Sequence, residues 1–197
     1  MVSRAYLKLH SSKYHAALYL LDRESPVLRA MNLSPVAPPP VGQIDHDEIL
    51  ADGILNLERS KLVSFWQSES ELKKFGANDY RLETQGQLIK YPDLLIYTAA
   101  PLPEKILALE LERTLKTRRR YVQLLGAYAS MKRINGLIYV VENPSIKRTI
   151  EEVMKEVYFP VNRLPVSFFS QEEWLSDSAA LLAKAAGPVP AAPKNAS

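Results

Sequence analysis

At 197 residues, 47% of them hydrophobic and 24% charged, the chain has the size and balance of one globular domain with tails. Its 25 Lys and Arg against 22 Asp and Glu leave a formal net charge of +3, compatible with a nucleic-acid partner without demanding one. The absence of cysteine excludes disulfides, thiolate nucleophiles and Cys-ligated zinc. No apolar run reaches the length of a membrane span or forms a secretory signal, so a reducing, cytoplasmic setting with no membrane association is expected.

In chain order, the spacing of Tyr6, Leu9, Leu18 and Leu21, with Lys8, Lys13 and Arg23 between and beyond them, predicts an amphipathic helix from Ser3 to Arg23. The proline-rich stretch 33–43 reads as an extended linker. Asp45 is a plausible cap for a helix carrying Ile49, Leu50, Ile54, Leu55 and Leu57 up to Arg59. Lys61 to Trp66 is β-rich and leads into a loop or brief helix at Ser68–Glu71. Phe75 to Gln87 is polar, with two glycines, and predicts an exposed hairpin or loop.

Two short apolar strands follow, Leu94 to Tyr97 and Ile106 to Glu112, joined through the stiff turn Pro101-Leu102-Pro103. Lys116 to Arg133 reads as a helix with Tyr121, Leu124, Leu125 and Tyr128 as its apolar stripe, ended by Asn135-Gly136. Leu137 to Val141 is a continuous apolar run, hence a strand covered on both faces. A helix from Asn143 to Val157, a strand from Val166 to Phe169 and a helix from Gln171 to Ala185 complete the order. Helix, strand, strand, strand, helix, strand, helix, strand predicts an α/β fold, a mixed sheet with helices on both faces. The expected organisation is an N-terminal helical region at 1–32, the linker at 33–43, an α/β domain at 44–186 and a disordered tail at 187–197.

The chemistry concentrates in the two strands. In the second, Leu107, Leu109 and Leu111 alternate with Ala108, Glu110 and Glu112, so one face is core and the other carries two carboxylates. Asp93 stands at the entrance of the first strand, directly after Pro92. If the two strands pair, Asp93, Glu110 and Glu112 converge, and three carboxylates at close range call for a cation or for a raised pKa. From Lys105 to Arg133 there are eight basic residues and only two acids, Glu110 and Glu112, which places positive charge beside the acids.

A Pro-Asp on one strand and a Glu-x-(acid or Lys) on the next resembles the PD-(D/E)XK nuclease superfamily, with Glu112 where the motif lysine usually stands. More narrowly, Glu-x-Glu-x-Thr-x-Lys-x-Arg from Glu110 to Arg118, followed by Tyr121, is similar to the nuclease-like part of plasmid replication-relaxation proteins and MobC-type mobilisation relaxases. The resemblance covers residues 44 to 150. It implies a restriction-endonuclease-like core and metal-dependent nicking of DNA in plasmid mobilisation or replication. A second possibility is a catalytically inactive DNA-binding or protein-docking subunit of the same fold. The implied site has Asp93, Glu110 and Glu112 around Mg²⁺ or Mn²⁺, with Asp93, Glu110, Glu112 and Lys116 catalytic. Lys116 would stand in for the missing motif lysine, and Arg113, Lys116, Arg118, Arg119 and Arg120 would contact DNA. Partners would include DNA and other mobilisation or replication proteins.

Each of these residues also has an ordinary explanation. Pro-Asp is common in turns, strand carboxylates are mostly solvated, and a basic run is often just a wet helix face. No Gly-rich phosphate loop, His-Glu-x-x-His or nucleophile elbow offers an alternative enzyme.

Overall fold

A computed structural model of the chain describes residues 7–10, 18–21, 41–84 and 87–187. The chain divides into two units, Met1–Ala51 and Asp52–Ser197. The boundary therefore falls inside a helix, not at the proline-rich stretch. In the first unit, strands β1 (Leu7–His10) and β2 (Leu18–Leu21) pair antiparallel, Leu7 opposite Leu21 and His10 opposite Leu18. This corrects the helix expected over Ser3 to Arg23. Leu7-Lys8-Leu9-His10 alternates with period two, and that local alternation prevails over the helical spacing of the widely separated leucines.

Helix α1 (Val41–Ser60) begins four residues before the expected cap, so Val41 to Gln43 are helical and Asp45 is a buried residue within it. Residues 33–40 of the expected linker lie outside the described residues. Lys61 takes a left-handed conformation (φ 59°) and ends the helix, its amide bonding back to the Glu58 carbonyl.

The second unit is α/β. Strand β3 (Val63–Ser68) runs into α2 (Glu69–Lys74), which Ser68 and Glu71 start with a reciprocal capping box. The polar region beyond it holds a 3₁₀ turn at Asn78–Tyr80 and a hairpin of β4 (Leu82–Thr84) and β5 (Gln87–Lys90). It is less exposed than its composition suggests, because Tyr80 and Leu82 are buried. Then come β6 (Leu94–Thr98), β7 (Ile106–Glu112), α3 (Arg118–Ser130), β8 (Gly136–Val141), α4 (Pro144–Glu156), β9 (Val166–Ser170) and α5 (Gln171–Ala186).

Five strands form one mixed sheet in the order β3-β6-β7-β8-β9. The pairs β3–β6 and β6–β7 are antiparallel; β7–β8 and β8–β9 are parallel. Parallel neighbours need a crossover, and α3 and α4 supply it. Both lie over the same face, where Tyr121, Leu124, Leu125, Ile146, Ile150 and Val153 join the core with Leu95, Ala108, Leu137, Tyr139 and Val141. On the opposite face, Trp66 of β3 donates to Glu58 of α1 at 2.7 Å, and α5 packs on β8 and β9. The expected helices on both faces are therefore present.

The expected helix at Lys116–Arg133 is shorter at both ends. Thr117 caps it, accepting a hydrogen bond from the Arg120 amide, so Lys116 lies outside. Asn135-Gly136 does not terminate the helix. Asn135 bonds the backbone of Ile106 through both its amide and its side chain, and Gly136 opens β8 against Leu107.

Candidate active site

Register places the three acids. Leu95 lies opposite Ala108 across β6 and β7, and Glu110 lies opposite Tyr139 across β7 and β8. With a side-chain period of two, Asp93, Glu110 and Glu112 all project to the face covered by α3 and α4. Leu107, Leu109 and Leu111 face the other way, so the alternation read in the sequence holds. The carboxylate face is not open to solvent: Asp93, Glu110 and Glu112 are 7%, 0% and 1% exposed.

Asp93 and Glu110 are bridged by a residue that no motif singles out. Lys90, the last residue of β5, places Nζ 3.0 Å from Asp93 Oδ1 and 2.5 Å from Glu110 Oε2. The other oxygens of these acids also have donors: Leu111 N–H to Asp93 Oδ2 at 2.8 Å, and the Tyr128 hydroxyl to Glu110 Oε1. Lys116 donates to Glu112 Oε2, while Glu112 Oε1 is buried with no hydrogen-bond partner. The buried hydroxyl of Tyr139 has none either.

The cluster thus contains three carboxyls and two ammonium groups. Burial alone would lower the pKa of Lys90, but Glu110 and Asp93 more than reverse this and hold it protonated. Burial raises the carboxyl of Glu110 to about 7, against the pull of Lys90 and with Asp93 and Glu112 adding to the rise. These directions agree once the charges are counted. The carboxyls outnumber the ammonium groups by one, which leaves the fully buried Glu110 incompletely compensated. Glu112 is also raised, by burial first, with Lys116 opposing. Tyr128 and Tyr139 are pushed well above the usual phenol range by burial, then by the charge of Glu110.

The basic residues have different neighbours. Arg113 Nε is 3.7 Å from Glu142 Oε2. Arg118 bonds Glu156 Oε2 at 2.9 Å and approaches Glu152 at 3.7 Å, which ties α3 to α4. Arg119 lines a cavity of 510 Å³ along α3 with Glu83, Gln123 and Gly126. Arg120 is half-buried on the first turn of α3. Of the tyrosines near the motif, Tyr121 Oη accepts from the Lys116 amide, Tyr97 Oη lies within hydrogen-bond distance of Gln67 Oε1 and the Tyr80 hydroxyl, and Tyr91 is buried. Tyr6 and Tyr14 lie outside the described residues.

Lys90 had no signal in a polar hairpin. The hydroxyls of Tyr121 and Tyr128, seven residues apart on an otherwise apolar stripe, were a usable one. Among the described residues, no three acidic or histidine side chains are arranged to hold one metal ion as they stand, and no helix is long and apolar enough to cross a membrane. Compared with protein-family models, curated proteins and solved structures, the chain matches none.

Proposed function

We propose that this cluster is the centre of a divalent-metal-dependent DNA nuclease with a restriction-endonuclease-like core, nicking DNA in plasmid mobilisation or replication. The observation that carries the reading is the placement of Asp93, Glu110 and Glu112 on one face of two adjoining strands, with ammonium groups against them. The five-stranded mixed sheet, with α3 between β7 and β8 and α4 between β8 and β9, is compatible with such a core.

The donor set suits Mg²⁺ or Mn²⁺. It offers only oxygens, Mg²⁺ is ordinarily held by one or two carboxylates with water, and Lys90 already marks a point where Asp93 and Glu110 accommodate positive charge. Asp93 and Glu110 would hold the ion, and Glu112, whose Oε1 is buried without a hydrogen-bond partner, would orient the nucleophile. When bound, the ion polarises the phosphodiester and acidifies water. In the hydrolysis, a water oxygen bonds to phosphorus and one P–O ester bond breaks. The water gives up one proton and the leaving sugar oxygen gains one. The Leu111 amide and the Tyr128 hydroxyl fix the carboxylates of Asp93 and Glu110, and Arg113, Arg119 and Arg120 contact flanking phosphates.

Burial favours a second reading. With Glu110 and Glu112 almost inaccessible, the cluster could serve as an internal ionic core of a catalytically inactive DNA-binding or docking subunit. Conversion of supercoiled plasmid to nicked circles with Mn²⁺, and calorimetric titration of Mn²⁺, separate the two. The nuclease reading requires nicking by the wild type and loss of both nicking and Mn²⁺ binding in Asp93→Asn. Equal binding by the two proteins, without nicking, leaves the inactive subunit.

A further inference from the structure

We propose that Lys90 supplies the ammonium that position 112 lacks, and that it, not Lys116, is the cation facing the scissile phosphate. This inference rests on the nuclease reading above. At position 112 of β7 the chain has Glu, so the strand itself brings no lysine to Asp93 and Glu110. Two lysines are near. Lys116 is bonded to Glu112, on the side of the cluster towards α3. Lys90 bridges Asp93 and Glu110, and the Leu111 amide donates to Asp93.

The approach is set by the chain. Lys90 ends the β4–β5 hairpin, outside the five-stranded sheet, and only the buried Tyr91 and the rigid Pro92 separate it from Asp93. The side chain of Lys90 is 17% exposed against 8% for Asp93 and 1% for Glu110. It therefore lies between the acids and solvent, where an incoming phosphate meets it first. Two of its three N–H donors go to the acids, which leaves the third to donate to a phosphate oxygen. As the P–O bond to the leaving oxygen breaks, charge builds on the phosphoryl oxygens, and a fixed ammonium there stabilises it.

The test compares plasmid nicking and Mn²⁺ calorimetry for the wild type, Lys90→Met, Lys116→Met and the double variant Lys90→Met/Glu112→Lys. Lys90→Met is expected to lower nicking about a hundredfold, the loss typical of one fixed charge-stabilising donor. It should at the same time bind Mn²⁺ roughly fivefold more tightly, because a competing positive charge is gone. A merely structural lysine would not move the two readouts in opposite directions. Lys116→Met should lower nicking less than Lys90→Met does. A lysine at 112 supplies the ammonium from β7 instead, with two carboxyls then facing two ammonium groups, and should recover about tenfold of the lost activity. Wild-type nicking by Lys90→Met overturns the role of Lys90 and leaves the nuclease reading standing. Joint loss of nicking and Mn²⁺ binding with no recovery in the double variant also overturns it. A wild type that neither nicks nor binds Mn²⁺ overturns both.

Discussion

Asp93 and Leu111 are joined across the β6–β7 boundary: the Leu111 amide donates to Asp93 Oδ2 at 2.8 Å. The backbone ladder between these strands ends at Leu94 and Leu109, and beyond it the aspartate side chain takes the place of a main-chain acceptor. The same carboxylate receives Lys90 through Oδ1, so one side chain closes the ladder and anchors the cluster.

Replacing Asp93 by Ala leaves the Leu111 amide unsatisfied in a buried setting and should cost about 1–3 kcal/mol of stability. Asp93→Asn keeps a carbonyl acceptor and should cost less. Urea unfolding of the two variants against the wild type decides. Equal losses would mean that the charge opposite Lys90, not the bond to Leu111, is what matters.

Tyr128→Phe removes the hydroxyl that donates to Glu110 Oε1 and, among the described residues, leaves that buried oxygen without a donor. The expected loss is about 1–3 kcal/mol. A double-mutant cycle with Glu110→Gln should show strong coupling, because Tyr128 then has no carboxylate to serve.

The raised pKa of Glu110 makes a pH prediction. Its carboxyl titrates near 7 in the fold and at its ordinary 4.5 when unfolded, so between these values the native state binds more protons. Its contribution to stability is complete below pH 4.5 and declines as pH rises to about 7. Glu156 and Glu173, whose pKa values are lowered, act in the opposite sense and lose their contributions as pH falls below 4.5. Denaturation midpoints in metal-free buffer should therefore fall from pH 5 to 7 more steeply in wild type than in Glu110→Gln, by about one to a few kcal/mol in total.

Two glycines should respond oppositely to alanine. A Cβ at Gly53 of α1 would meet the Trp174 ring at 2.0 Å, and Trp174 is fully buried, so Gly53→Ala should cost about 1–3 kcal/mol or more by overpacking. At Gly126 of α3 a Cβ meets nothing within 4 Å, and Gly126→Ala should stabilise by up to about 1 kcal/mol through helix propensity. Thermal melts of both variants check the pair.

The sheet was legible in the sequence because its signals are local. The alternation Leu107 to Glu112 and the unbroken run Leu137 to Val141 each announce their burial by period. Asp93 and Glu110 could be brought together on paper for the same reason, since pairing of neighbouring strands is the simplest assumption. Lys90 could not. It belongs to a hairpin outside the main sheet, and only the backbone's turn at Tyr91-Pro92 carries it back over the acids. The N-terminal segment misled because four widely spaced leucine and tyrosine positions fit a helix, while Leu7 and Leu9 alone already fit a strand. Lys116 was placed inside a helix because Thr117, the true cap, follows it directly.

All four oxygens of Asp93 and Glu110 already have a donor in the fold, from Lys90, the Leu111 amide and the Tyr128 hydroxyl. Lys90 is the cation that these acids hold in the fold, so an added ion would compete with it rather than fill a gap. The measured affinity of any incoming ion reports the difference between two satisfied states, and residue 90 sets that difference as much as the acids do.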